Sequence, residues 1–538
     1  MRPLIHEIQT AHTPESLVEQ LHGEPGVVLL RSALFDSPQA RYSFVAARPF
    51  LTFRSFGSRC EISHLTAADV NPRVNNPGDL PPAHVGSYVQ FGNPWQLLDA
   101  LLARCELLDE IDLPFPLGGC FGYWGYDLKN FVEPKLPRRA VNDLELPDCH
   151  VGFYDSLVVF DHRLGKTCVV STGLQADGSR SEGWAKEQLD FWRTKLEAKS
   201  ERTLTPALSL SEKERENLFP RETTCEVGER ENRDALDKFH PLPRRGGEGR
   251  GEGAMFSNLT RAEFIAAVER TQRYIHAGDI YQANLSHRLT ASCEFSGWEL
   301  FQRLSAVSPA PFSAFLDCGE FQIASSSPEQ FLRLSGPHIQ TRPIKGTRPR
   351  DNDPTRDAQL AYELQTSPKE LAELVMITDL LRNDLGKVCE YGSVQVPELA
   401  RLERFAQVQH LVSTVEGRLR DDVTHFAAFA SCFPGGSITG APKIRAMEII
   451  DELEPVSRGP YCGAIGYLGF NSESLLSITI RTAICKDGVA QFNVGAGIVA
   501  DSKPEAEYEE TLAKAAGFLA ALNCSSRRAE AQTSGKKP

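Results

Sequence analysis

One stretch decides how this chain of 538 residues can be divided. Residues 201–253 hold 22 charged side chains in 53 positions, 12 acidic and 10 basic, about 42% against 24% for the whole sequence. The stretch closes on Pro241-Leu242-Pro243-Arg244-Arg245-Gly246-Gly247-Glu248-Gly249, followed by more glycine and charge. Such a segment buries too little apolar surface to offset the entropy of ordering it, so it reads as a charged linker or insert rather than as core. It separates an N-terminal part, 1–200, from a C-terminal part, 254–525, and a polar tail, 526–538, follows. The rest is globular in balance, with 41% hydrophobic residues, enough for large cores.

The charge total, 58 basic against 71 acidic residues or a net −13, lacks the basic footprint that broad nucleic-acid or anionic-membrane binding requires. No apolar run approaches the roughly 18 residues needed to span a bilayer, and charge interrupts the N-terminus before a signal-peptide core develops. The 13 cysteines run from Cys60 to Cys524 without one C-x-x-C pair. That pattern is neither a disulfide framework nor a zinc site, and it suits a reducing cytoplasm.

Helix signals are clear beyond the linker. Thr260-Arg261-Ala262-Glu263 is a capping box followed by Phe264, Val268 and Ile275 on one stripe and stopped at Gly278. Ser367-Pro368-Lys369-Glu370 repeats the signature with proline at the first helical position. Ser502-Lys503-Pro504-Glu505 opens a third helix reaching about Ala521. Apolar runs at Gly463–Phe470, Leu475–Cys485 and Val489–Val499 read as strands. Strands and helices intermix without regular alternation, which predicts an α+β architecture of large sheets packed with helices.

Two of these helices carry glutamates at i, i+3: Glu370 with Glu373, and Glu507 with Glu510, the latter extended by Lys514. That spacing places each pair on one face, about a turn apart. Four carboxylates converging from two helices would make an all-oxygen site suited to Mg²⁺; spacing alone favours solvated faces whose first-turn acids suit the helix dipole. The segment Phe433-Pro434-Gly435-Gly436-Ser437-Ile438-Thr439-Gly440-Ala441-Pro442-Lys443 leads into a helix at Ile444–Leu453. Its backbone N–H groups could hold an anion, although the Walker order is absent and a tight loop opening a helix explains the pattern as well. Arg481 is a charge within an apolar run and needs an anionic partner, from the protein or from a substrate. Lys345, between Pro343-Ile344 and Gly346, is a lysine that desolvation could make nucleophilic, and His410 is either a core or a site histidine. Gly118-Gly119-Cys120-Phe121-Gly122 imitates an amidotransferase nucleophile, but no histidine base accompanies it, so Cys120 reads as structural.

Taken together and in this order, these segments resemble the chorismate-utilising enzymes. The resemblance spans about 257–520 and rests on Gly278–Ser286, Ser325–Glu329, Pro343–Thr347, Lys369–Glu373, Asp379–Gly386, His410–Val415, the 433–443 loop, Arg481, Gly495–Gly497 and Glu507–Lys514. More loosely it extends to Leu29–Ser32, Arg41–Phe44 and Gly118–Asp127. It implies a two-part, anthranilate-synthase-like α/β sandwich and a Mg²⁺ cofactor bound by Glu370, Glu373, Glu507 and Glu510. It also implies that Arg481, Tyr461 and the backbone of Gly495, Ala496 and Gly497 hold the enolpyruvyl carboxylate of chorismate. Gln282, Thr347, His410, Thr439 and Lys514 would line the remaining pocket, and Glu329 would protonate the departing C4 hydroxyl. Lysine at 345, where members that make anthranilate have Pro-Ile-Ala-Gly-Thr, points to the members that make 4-amino-4-deoxychorismate through a covalent lysine adduct, on the p-aminobenzoate route to folate. Anthranilate formation is the alternative. Water-using relatives have a general-base lysine where this chain has Gln282. Leu374 departs from the histidine many relatives carry after Lys-Glu-x-x-Glu. The resemblance further implies a separate glutamine amidotransferase subunit that supplies ammonia, and a tryptophan site marked by Ser32.

Overall fold

The computed structural model describes residues 2–32, 41–64, 86–107, 113–198, 240–241, 255–405 and 408–523. The charged stretch 201–253, apart from the short strand His240–Pro241, and the tail 526–538 lie outside them. Among the described residues the strands form two sheets, of thirteen and twelve strands. Within them every ladder is antiparallel except that between His240–Pro241 and Met255–Ser257. The α+β expectation holds, as two large sheets with helices against them.

Both sheets draw strands from either side of the charged stretch. In the larger sheet Val28–Arg31 pairs with Phe312–Asp317; in the smaller, Gly119–Trp124 pairs with Ala464–Gly469 over six residue pairs. The two parts are therefore joined by backbone ladders and not only by side-chain contact. One apolar cluster between the sheets contains Phe44, Leu157 and Ile323 from the larger sheet with Phe53, Phe121 and Leu476 from the smaller. A second cluster covers the outer face of the larger sheet, where Trp192, Leu300 and Phe518 come from three separate helices. Among the described residues no helix is long and apolar enough to cross a membrane.

The capped helices form as their sequences predict, because each N-terminus satisfies its own orphan donors. Thr260 and Glu263 make the reciprocal capping box of helix Arg261–His276. Ser367 accepts the Glu370 N–H at 3.4 Å and opens helix Pro368–Gly386 with proline in its first turn. The third helix covers Pro504–Asn523. Cys120 lies fully buried in the strand Gly119–Trp124, where burial pushes its thiol well above the ordinary range, as befits a core residue.

One strand expectation needs correction. The apolar run Leu475–Cys485 is not continuous but splits into Glu473–Ile478, in the smaller sheet, and Thr482–Lys486, in the larger. Residues 479–481 carry the chain from one sheet to the other, and Arg481 takes φ +49° there. Arg481 thus sits at a crossing between sheets rather than within a strand. Hydropathy is blind to such a crossing because both strands are buried and equally apolar.

An aromatic group ties the loop at 433 to this core. Phe429 is fully buried, with ring centroids 5.2 Å from Trp95, 5.3 Å from Trp124, 5.9 Å from Phe331 and 5.7 Å from Phe433. Phe429→Ala is expected to cost about 3–5 kcal/mol, the range for emptying a buried phenylalanine site, measured as a lowered urea midpoint with unchanged slope.

Candidate active site

The site assembles where the two carboxylate helices meet strands of both sheets. On helix Pro368–Gly386, Glu370 and Glu373 are both half-buried. Glu370 faces Arg348 at 3.5 Å and the bulged segment Lys345-Gly346-Thr347, where the ladder to Val408–Arg418 shifts register. Gly346 has φ +68°, and a Cβ on it would stand 3.0 Å from the Glu370 carboxylate and 2.7 Å from Leu364. Only glycine meets both demands, so the bulge can press against the helix and keep Lys345 at the site. Leu374, in the next helical turn, packs with Leu364 and Leu411.

On helix Pro504–Asn523, Glu507 is buried and accepts the Ser502 hydroxyl at 2.6 Å. Lys514 donates to the Gly495 carbonyl at 2.8 Å and pairs with Glu510 at 2.8 Å, which fixes this helix to the strand Val489–Ile498. The two glutamate pairs sense each other. Burial raises the Glu373 carboxyl above its usual range, and the negative charges of Glu370 and Glu510 add to the shift while Lys345 and Lys369 oppose it. Burial likewise raises Glu507, again with Glu510 adding and Lys369 and Lys514 opposing. Glu373 and Glu507 thus resist ionising beside their neighbours, a cost that a bound cation removes. Among the described residues no three carboxylate, imidazole or thiol groups stand close enough to close around an ion. In donor chemistry, all oxygen and anionic, the set fits a hard divalent cation.

Glu329 follows the strand Gln322–Ser327 and is buried. Burial raises its carboxyl above the usual carboxylate value, opposed by a hydrogen bond with Ser437, the charge of Lys345 and the Ile344 N–H. Lys345 is therefore the cation that both Glu329 and Glu373 feel. His410 is held by Thr347, Oγ1 to Nδ1 at 2.9 Å. Burial, with the charge of Arg481, pushes its pKa down to about 4, so the ring is neutral at pH 7. Burial also lowers Arg481, and among the described residues no carboxylate pairs with it. A guanidinium left so calls for an external anion.

Gln282, Tyr461 and the Gly495–Gly497 segment pack against one another. A Cβ at Gly495 would stand 2.9 Å from the Tyr461 hydroxyl, and one at Gly497 2.6 Å from Gln282 Nε2. Those neighbours already fill the space a side chain at 495 or 497 would need, so glycine there lets Tyr461 and Gln282 lie against the strand backbone. Thr439 differs from expectation: it is fully buried, and its hydroxyl donates to the carbonyls of Gly435 and Gly436, both at 3.2 Å. It shapes the glycine loop rather than offering its hydroxyl to a pocket.

Three residues escaped the sequence reading. Ser437 lies inside the glycine loop but carried no chemical signal until Glu329 was placed beside it. Asn284 Oδ1 is buried, has no hydrogen-bond partner among the described residues and would stand 2.7 Å from a Cβ at Gly495. Arg348 was hidden among other basic residues. Ser32 lies apart from this cluster, in a cavity lined by Leu30, Tyr42, Phe44, Pro311, Tyr467 and Ser477.

Residues 32–520 match the family described as chorismate binding enzyme. An aminodeoxychorismate synthase component 1 from Salmonella typhimurium is 42% identical over 403 residues, covering 75% of this chain and 76% of that protein. An anthranilate synthase component 1 from Acetivibrio thermocellus is 35% identical over 514 residues, covering 95% and 92%. Among solved structures, anthranilate synthase component I from Streptococcus pneumoniae superposes with a TM-score of 0.67 at 28% identity, covering 89% of this chain and 92% of that one.

Proposed function

We propose, from the premise that this chain belongs to the chorismate binding enzyme family, that it is the large component of an aminodeoxychorismate synthase, converting chorismate and ammonia to 4-amino-4-deoxychorismate. The observation that carries this reading is the placement of Lys345. Its ammonium is the cation sensed by both the buried acid Glu329 and the carboxylate face at Glu373. A primary amine between a proton donor and an anion-binding face suits covalent catalysis.

In this mechanism the Lys345 ammonium first gives up a proton to solvent, and the free amine then adds at C2 of chorismate. The ring double bonds shift and the C4–O bond breaks, with Glu329 protonating the hydroxyl so that it leaves as water. Ammonia then adds at C4, the double bonds shift back, the C2–N bond to Lys345 breaks, and the lysine returns as an amine. Two allylic displacements leave nitrogen para to the ring carboxylate, whereas direct attack at C2 would leave it ortho. Arg481, without a carboxylate partner among the described residues, would receive a substrate carboxylate. Glu370, Glu373, Glu507 and Glu510 would hold Mg²⁺, which neutralises the ring carboxylate. Neutral His410, fixed by Thr347, would serve as an uncharged wall. Gln282, an amide, cannot act as a base on water, which disfavours hydroxylation.

Relatives named component 1 support a second component, which we read as a glutaminase subunit delivering ammonia in the cytoplasm, with the product passing to p-aminobenzoate and folate. The Ser32 cavity, with its aromatic walls, would accept tryptophan.

The test is a product assay with chorismate, ammonium and Mg²⁺, resolved by chromatography. The para-amino product is expected, its formation lost on chelation with EDTA and restored by Mg²⁺. Accumulation of anthranilate would replace this reading with the activity named for the Acetivibrio relative.

A further inference from the structure

The glycine loop contains a lysine that the proposed chemistry leaves unused. Lys443 opens helix Lys443–Leu453, and its ammonium is turned back under the loop. Nζ donates to Asp384 Oδ2 at 2.5 Å, to the Cys432 carbonyl at 3.0 Å and to the Pro434 carbonyl at 2.9 Å. An ammonium has three N–H donors, and all are engaged. Lys443 is therefore not available to a substrate.

Asp384 is fully buried on helix Pro368–Gly386, and its other oxygen takes Lys387 at 3.0 Å. The same helix meets the loop a turn earlier: a Cβ at Gly436 would stand 2.6 Å from Leu380 Cδ2. One ammonium thus joins the entry of the loop, at 432 and 434, to its exit at 443, and fastens both to the helix bearing Glu370 and Glu373. Between those ends Ser437 bonds Glu329, and the Thr439 carbonyl accepts the Asn284 N–H at 2.8 Å.

We propose that Lys443 and Asp384 are a positioning pair that clamps the 433–443 loop onto the Pro368–Gly386 helix and so holds Ser437 on the Glu329 carboxyl. This rests on the functional reading above in assigning Glu329 as the acid. The pair acts through the loop and touches no reacting atom. Its buried, charge-assisted bonds are strong in geometry and costly to break singly. The loop therefore has one registered position rather than several.

The decisive variant is the double substitution Lys443→Met with Asp384→Leu, which removes both partners and leaves no newly unpaired buried charge on the lysine side. With the full-length chain, kcat is expected to fall about 10- to 100-fold, the scale of a small misplacement of a catalytic group. KM for chorismate should stay within about threefold. Losing the Ser437 bond, which favours the ionised carboxylate, should also move the alkaline limb of the kcat–pH profile to higher pH. Lys443→Arg, which keeps the charge, should recover part of kcat. A folded double variant with wild-type kcat and an unmoved limb would overturn the proposal, as would a fall in kcat that tracks thermal stability with the limb unmoved. Amide hydrogen exchange across 435–441 gives a reading independent of the chemistry. Faster exchange in the double variant supports the clamp, and unchanged exchange overturns it, whether or not the wild type makes the para-amino product.

Discussion

Lys345→Ala should lose at least about a thousandfold in 4-amino-4-deoxychorismate formation, some 4 kcal/mol at roughly 1.36 kcal/mol per tenfold. The size follows from what the amine does: without it the first displacement at C2 has no internal nucleophile, and the para position is reached only through that step. Binding should survive. The groups expected to grip the substrate carboxylates, Arg481 and the glutamate helices, are held by other contacts, including Lys514 on Gly495 and Ser502 on Glu507. Calorimetry with chorismate should therefore give a dissociation constant within a few-fold of wild type. The alanine variant should either turn over negligibly or divert to the ortho product, since ammonia could then attack C2 itself. A variant that made the para product at the wild-type rate would remove Lys345 from the mechanism.

Glu329→Gln should lower kcat by about 10²- to 10⁴-fold, the range for removing a positioned general acid, with KM little changed. A second consequence separates this residue from a structural carboxyl. Burial raises its pKa in the folded protein above that of an exposed glutamate. The folded state therefore holds the proton more tightly than the unfolded state does. The stability contributed by the protonated acid is complete below the unfolded pKa and is lost as pH rises through the folded one. Glutamine carries no such penalty, so the variant should equal or exceed wild type in thermal stability, with a margin that widens as pH rises. Activity and stability then move in opposite directions, as expected where a site is held under strain for function. A loss of both together would assign Glu329 to the fold instead.

Much of the local structure was legible because its causes are local. Thr260 with Glu263, and Ser367 with Glu370, satisfy orphan N–H groups within a few residues of sequence, and Pro504 opens the third helix with a residue that has no N–H to leave unpaired. The i, i+3 glutamates share their helix faces by spacing alone, without any tertiary contact. Two readings failed for one shared reason. Arg481 looked like a strand residue because the strands on either side are buried alike, yet the chain changes sheets there. Thr439 looked like a pocket hydroxyl, but the curl of the loop returns it to its own carbonyls. Periodicity reports whether a segment is buried, not which partner buries it.

Asn284, Ser437 and the Lys443–Asp384 pair show the same limit at the site. Asp384 and Lys443 are 59 residues apart, and the charge of Lys345 reaches Glu373 only because a bulge is pressed on a helix. The charged stretch at 201–253 marked two parts of the chain, which the antiparallel ladders of both sheets then join. The helix starts, the carboxylate faces and a lysine where a nucleophile matters are written locally, because capping, helical spacing and side-chain identity act within a few residues. Tertiary structure alone decided which charges face one another. An unpaired guanidinium, a raised carboxyl and a saturated ammonium are properties of burial and of neighbours distant in sequence.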